Sequence, residues 1–193
     1  LLAFAISVAL SLALTPLARA VARRVGLVAA PKEDRWHQRP TALLGGPAIV
    51  VASMLAFLFA GGFRMTAPLL AWAAGGLAIS LLGVLDDVFR LRPASKLIGQ
   101  ILAALIPISV GLHISVFHPL VSYWIVLLWI VGIANAFNLL DNMDGLAAGI
   151  AAIASSFLAI HALRAGNVSL ALAAASLCGA ALGFLVFNFQ RAS

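Results

Sequence analysis

The sequence predicts an all-α fold: a polytopic integral membrane bundle of about seven transmembrane helices forming a single domain over residues 1–193. Three observations predict it. The chain is 64% hydrophobic and only 9% charged, whereas a soluble domain carries about a quarter charged residues. Its apolar residues come in runs close to the roughly 20 residues a helix needs to cross a bilayer. Its basic residues fall between those runs and are shared unequally between the two sides that alternate crossing creates.

The runs lie at 1–18, 43–62, 66–85, 97–115, 120–139, 145–163 and 168–187. The first lacks the basic n-region of a signal peptide, and Arg19, Arg23 and Arg24 follow it where a cleavage site would lie. It reads as a membrane span clipped at its start. Near Gly75 and Gly76 the third span is rich in small residues that allow close helix contact. Tyr123, Trp124 and Trp129 on the fifth span read as interface anchors or lipid-facing bulk. The last two spans are rich in Ala and Gly, with Gly145 and Gly149 at the start of the sixth, so burial against other helices is expected. Cys178, the single cysteine, excludes an internal disulfide and reads as packing.

Seven crossings place Arg19, Arg23, Arg24, Lys32, Arg35, Arg39, Arg90, Arg92, Lys96 and Arg191 on one side, against Arg64 and Arg164 on the other. That bias marks the first side as cytoplasmic. The formal charge of +6 therefore reflects topology, and the scattered positions exclude a nucleic-acid face. All the acids, Glu33, Asp34, Asp86, Asp87, Asp141 and Asp144, fall on the same side. The positive-inside rule says little about acids, so a shared chemical site is the better account.

Three segments compose that side. The first, "PKEDRWHQRPTALLGG" at 31–46, is broken by Pro31, Pro40 and the Gly45–Gly46 pair. Its Lys32, Arg35, His37 and Arg39 suit an anionic ligand, although a basic loop attracting anionic headgroups explains the charge at least as well. The second, 83–100, sets Asp86 and Asp87 at the C-terminal end of a helix. The helix dipole disfavours negative charge there. Compensation is expected from Arg90, Arg92 and Lys96, or from a metal and a phosphate.

The third segment is "NAFNLLDNMDGLAAG", residues 135–149. Asn135, Asn138, Asp141 and Asp144 follow one another at a spacing of three. On an α-helix each such step drifts by about 60°, so Asn135 and Asp144 would face opposite ways. The four groups cannot converge on one unbroken helix. The fifth span is therefore expected to end, or tighten into a 3₁₀ turn, near residues 138–143, with Asn135 helping to hold the turn. Capping of the sixth span is the plain structural reading of Asp144, and a functional one is favoured over it for the cluster. Polar groups at membrane depth are expensive and usually mark a functional site.

Together these segments resemble the polyprenyl-phosphate N-acetylhexosaminyl-1-phosphate transferases, glycosyltransferase family 4. The resemblance rests on Pro31, Arg35, His37, Pro40, Thr41, Gly45 and Gly46, then Gly83, Asp86, Asp87, Lys96 and Gln100, and on the N-x-x-N-x-x-D-x-x-D-G-L pattern from Asn135 to Leu146. The R-x-H-x-x-P-T loop followed by Gly-Gly is similar to the undecaprenyl-phosphate GlcNAc-1-phosphate transferase branch, which primes teichoic acid, lipopolysaccharide O-antigen and related cell-wall polymers. Asn142 stands where the family more often has glycine. After Phe187, Asn188 and Phe189 the family continues into a Met-Gly-Asp-type motif whose Asp binds magnesium. The resemblance thus implies that a C-terminal part of the catalytic domain lies beyond Ser193, and that these residues alone are catalytically incomplete.

The implied reaction is transfer of N-acetylglucosamine-1-phosphate from UDP-GlcNAc to polyprenyl phosphate, with release of UMP, at the cytoplasmic face of the bacterial inner membrane. Asp86 and Asp87 are the implied catalytic pair. Arg35, His37, Lys96, Asn138, Asp141 and Asp144 are the implied substrate-binding residues, with Asp141 and Asp144 also facing Mg²⁺, or Mn²⁺ in its place. Implied partners are UDP-GlcNAc, polyprenyl phosphate, the lipid bilayer and, as an assembly, a homodimer, with no nucleic acid. Rival readings are a phospho-MurNAc-pentapeptide transferase or another UDP-HexNAc donor within the family and, outside it, an ion-coupled transporter. A CDP-alcohol phosphotransferase would need a D-G-x-x-A-R signature, and "DGLAAG" has no Arg.

Overall fold

A computed structural model describes residues 1–29, 41–42, 44–61, 66–141 and 143–189. Among them are seven helices: α1 (Leu2–Val25), α2 (Gly45–Phe59), α3 (Ala67–Phe89), α4 (Pro93–Ser109), α5 (Pro119–Leu140), α6 (Leu146–Arg164) and α7 (Val168–Asn188). A short antiparallel pair, β1 (Val28–Ala29) and β2 (Thr41–Ala42), joins Val28 to Ala42 and Ala29 to Thr41. The fold is all-α and polytopic, as expected, and the strand pair is its small addition.

Five helices, α1, α3, α5, α6 and α7, are long and apolar enough to cross a membrane. The other two expected spans are shorter, with 15 residues in α2 and 17 in α4. At a rise of 1.5 Å per residue these reach about 22 and 26 Å, less than the roughly 30 Å of hydrocarbon.

Helix ends explain where the boundaries moved. α1 runs past the expected limit to Val25 and stops at Gly26, whose φ of 76° is left-handed. The Leu27 N–H closes the cap on the Ala22 carbonyl at 2.8 Å, and Arg23 and Arg24 occupy the last turn, where cations suit the dipole. α3 continues four residues past its apolar run to Phe89, so Asp86 and Asp87 lie in its last turn, at the helix C-terminal end where they were expected. α4 starts at Pro93, about a turn early, because proline's fixed φ and missing N–H suit a first helical turn. Lys96 is consequently helical too.

The chain divides into two compact units, Leu1–Arg64 with Leu140–Ser193, and Met65–Leu139. In the first, α7 packs against α1, α2 and α6. Ser7 Oγ donates to the Ser176 carbonyl at 2.5 Å and Ser11 Oγ to the Ala180 carbonyl at 2.8 Å. The paired numbers rise together, so α1 and α7 run parallel. A Cβ on Gly183 would lie 2.7 Å from Ser11 Cβ and 2.9 Å from the Val8 carbonyl, and one on Gly179 would strike the Phe4 carbonyl. α6 runs antiparallel to α7, with Cys178 Sγ directed at the Ala152 carbonyl at 3.4 Å and Gly145 beside Leu185 and Phe189.

In the second unit α3 and α4 pack antiparallel, with Gly75 against Ala103 and Pro107 and Gly99 against Leu82. Of the glycines singled out for close contact, Gly75 and Gly145 meet neighbours, whereas Gly76 and Gly149 face open space. Among the described residues no fully buried side chain is larger than threonine. Large groups such as Trp124 and Trp129 point outward, at 65% and 69% exposure. Small residues inside and bulky apolar ones outside are the pattern of helices packing in lipid.

Candidate active site

The site is built in the second unit from the last turn of α3, the first turns of α4 and the end of α5. The three-residue connection Arg90–Leu91–Arg92 folds α4 back on α3. Arg90 takes a left-handed conformation, φ 49°, and its N–H reaches the Asp86 carbonyl at 2.8 Å, which ends the helix. Asp86 is then held near a helix C-terminus, an unfavourable place for a carboxylate.

Lys96 supplies the compensation. Its Nζ donates to Asp86 Oδ2 at 2.7 Å and to Asn138 Oδ1 at 2.9 Å. The side chains of Lys96 and Asp86 are 19% and 24% exposed, so the pair is partly withdrawn from water. One turn deeper, Gln100 and Asn135 exchange hydrogen bonds. Asn135 Nδ2 donates to Gln100 Oε1 at 2.9 Å and Gln100 Nε2 donates to Asn135 Oδ1 at 3.3 Å. Asn135 Nδ2 also reaches its own helix at the Val131 carbonyl, 2.9 Å away. The contacts 96–138 and 100–135 step in opposite senses, so α4 and α5 run antiparallel.

These contacts bring together Asp86, Lys96 and Asn138 of the expected site residues. Asp87 is exposed on the same last turn of α3. Asp141 is exposed immediately past the end of α5, and Asp144 is half-buried in the turn before α6. Arg35 and His37 lie outside the described residues. α5 ends at Leu140, inside the expected window. Two expectations need correcting. Asn135 is within α5 and does not hold the turn, because Gln100 gives its amide a partner on α4. Asp144 does not cap α6: the N-cap is Gly145, whose φ of 73° suits glycine, and the turn closes through Leu146 N–H to the Met143 carbonyl at 3.2 Å.

The Gln100–Asn135 pair went unassigned in the sequence. Its signal was present as K-x-x-x-Q on one helix and N-x-x-N on another, polar pairs one turn apart in apolar surroundings.

A multi-pass helical membrane protein that collects an ammonium, carboxylates and amides at helix ends has the equipment to meet an anionic group at the membrane. That class can be narrowed. The chain belongs to glycosyl transferase family 4, whose model matches residues 69–193, from α3 to the end. A probable undecaprenyl-phosphate N-acetylglucosaminyl 1-phosphate transferase of Bacillus subtilis is 34% identical over 98% of this chain and 56% of its own length. A decaprenyl-phosphate N-acetylglucosaminephosphotransferase of Mycolicibacterium smegmatis is 35% identical over 90% of this chain and 50% of its own. A phospho-N-acetylmuramoyl-pentapeptide-transferase of Latilactobacillus sakei is 31% identical over 82% of this chain and 57% of its own. The chain thus spans about half the length of the curated relatives it matches.

Proposed function

We propose that the protein transfers N-acetylglucosamine-1-phosphate from UDP-GlcNAc to undecaprenyl or another polyprenyl phosphate, releasing UMP, as a first membrane step of cell-wall or surface-polysaccharide synthesis. The observation that carries the reading is Lys96 held between Asp86 and Asn138 at the helix ends. The names of the Bacillus and Mycolicibacterium relatives support the donor and acceptor.

Both substrates are anionic, so bringing them together requires positive charge and fixed geometry more than covalent help. A phosphate oxygen of the lipid attacks the β-phosphorus of the nucleotide sugar. The bond from that phosphorus to the bridging oxygen breaks and UMP departs. Asp86 orients the lipid phosphate or takes its proton, and Asp87 supports it. Lys96 neutralises Asp86 at rest and is within reach of an incoming phosphate. Asn138, Asp141 and Asp144 bind the nucleotide sugar, and Arg35 and His37 its phosphates.

The oxygen donors Asp86, Asp87, Asn138, Asp141 and Asp144 are chemically suited to Mg²⁺. Among the described residues no three His, Cys, Asp or Glu side chains converge. That fits an ion held by one or two carboxylates together with substrate phosphates, which is how Mg²⁺ is commonly bound. Asp141 and Asp144 are its proposed protein ligands, and the ion would supply charge neutralisation of the transferred phosphoryl group. The sidedness of the basic residues supports a cytoplasmic site in the inner membrane. The antiparallel runs α3–α4 and α4–α5 support α4 as a crossing helix despite its length.

The test is Mg²⁺-dependent UMP release by the full-length protein from UDP-GlcNAc and polyprenyl phosphate. Turnover should collapse in Asp86→Asn and Asp141→Asn, and undiminished rates in both would sink the role assignment. The Latilactobacillus relative favours a second donor in the same family. Comparing UDP-GlcNAc, UDP-GalNAc and the UDP-muramyl-pentapeptide in that assay decides between them.

A further inference from the structure

We infer that the Gln100–Asn135 amide pair is a positioning device that sets the register of α5 on α4 and so holds Asn138 against Lys96 and Lys96 against Asp86. The inference rests on the proposed transfer reaction for its kinetic consequence, but not for its geometry.

Four observations carry it. Gln100 is buried, with 4% exposure, in a helix whose surroundings are otherwise apolar. Its amide and that of Asn135 bond reciprocally, and Asn135 spends its second N–H on the Val131 carbonyl, which fixes the side chain on its own helix. The pair lies one helical turn from Lys96–Asn138, three residues along α5 and four along α4, or about 4.5 and 6 Å of rise. Finally, among the described residues α4 has close backbone packing with α3 and little with α5. Side chains must therefore supply the register that packing supplies elsewhere.

An amide pair suits that task better than an apolar contact. It has direction, and a slip of one residue would leave the buried Gln100 amide without its partner, which is costly. It carries no charge and stands a turn away from the Lys96 ammonium, so it acts through Asn138 and Lys96 without touching substrate. Gln100 and Asn135 are thus positioning residues, not catalytic ones.

The experiment uses the full-length protein in detergent with three variants: Gln100→Leu, Asn135→Leu, and the exchange Gln100→Asn with Asn135→Gln. UMP release is followed as kcat and KM for UDP-GlcNAc. A displacement of about an ångström at a reacting centre costs on the order of ten- to a hundredfold, so kcat should fall by that much in both leucine variants. KM for UDP-GlcNAc should rise at the same time, because the Asn138 that the pair holds is proposed to bind the nucleotide sugar. The exchanged pair should recover most of kcat. In a parallel arm Cys178 and any further cysteine of the full-length protein are replaced by Ala, and nitroxides are placed on the exposed positions Leu102 and Ile133. Dipolar broadening between them should be strong in the parent, weaker in Gln100→Leu and restored by the exchange. Parental kcat in both leucine variants, no recovery of kcat in the exchanged pair, or unchanged broadening in Gln100→Leu would each overturn the inference. A parent that releases no UMP from any donor sinks the transfer reading, and the broadening alone then decides the register.

Discussion

The two units hold their helices together by different chemistry. In the first, α1 and α7 meet through absence: Gly179 and Gly183 remove side chains so that backbones approach, and Ser7 and Ser11 bond the carbonyls they uncover. In the second, α4 and α5 meet through polar side chains, an amide pair and an ammonium shared between a carboxylate and an amide. A seam of small residues keeps its polar groups to itself. A bridge of long polar side chains at helix ends presents groups that an incoming ligand can compete for.

Lys96→Met strikes that contrast hardest. It removes the cation from Asp86 and the donor from Asn138 in one change. Removing one electrostatic contact to a reacting group costs about a hundredfold or more, so UMP release should fall by at least that factor. Stability should move little, because partly exposed ion pairs contribute modestly to folding. Lys96→Arg should not restore the rate, since a planar fork does not replace a compact ammonium between two fixed oxygens.

Gly183→Ala is the matching blow to the other seam, with the opposite signature. The new methyl meets Ser11 Cβ and the Val8 carbonyl, and overpacking of this kind costs about 1–3 kcal/mol. The thermal midpoint in detergent should drop while turnover per folded molecule stays the same. Adding Ser11→Gly should recover part of the loss, because one of the two clashing atoms is then gone. Full recovery would mean that the Val8 carbonyl is not in contact.

The sequence made these regions legible to different degrees. Helices α3, α5, α6 and α7 lie where unbroken apolar runs put them, since length and hydropathy leave no alternative for such segments. The helix ends were less legible. The apolar runs alone end the third span at 85 and start the fourth at 97, whereas α3 carries Asp86 and Asp87 in its last turn and Pro93 fits the first turn of α4. The break after Leu140 followed from angular arithmetic on Asn135, Asn138, Asp141 and Asp144. Lys96 was among the groups expected to compensate Asp86, and it does. Its second partner, Asn138, was not legible, because pairing between helices is set by register, which the spacing within one helix cannot supply. The α1–α7 seam was equally hidden: Ser7, Ser11 and Thr15 step by four along α1, but nothing in that stripe says that it meets Gly179 and Gly183.

Arg90→Gly sharpens the account of the turn between α3 and α4. A left-handed conformation costs an L-residue about 1–2 kcal/mol and glycine almost nothing, and glycine is favoured just past a helix end. Arg90 is the only non-glycine with positive φ among the described residues. Its replacement should raise stability by about 0.5–1 kcal/mol once the added freedom of the unfolded chain is set against the gain. An equal or lower thermal midpoint would show that the arginine side chain contributes something at the site to offset its backbone conformation.

Ser11→Ala should have the smallest effect, and its smallness tests why the α1–α7 seam holds. The hydroxyl donates to the Ala180 carbonyl at 2.8 Å from a fully buried position, which suggests at first sight a large loss on removal. The acceptor, however, lies within a helix and keeps its backbone partner, so deletion leaves no buried group wholly unsatisfied. Hydrogen bonds between membrane helices average about 0.6 kcal/mol, because the separated helices find other partners. The Cβ that Gly183 accommodates is retained in alanine, so packing is unchanged. A loss near 0.6 kcal/mol, against the larger loss for Gly183→Ala, would show that close backbone approach holds the seam and the serine bonds only follow from it. A loss as large as that of Gly183→Ala would reverse the order, and the first unit would then depend on directed polar contacts as much as the second.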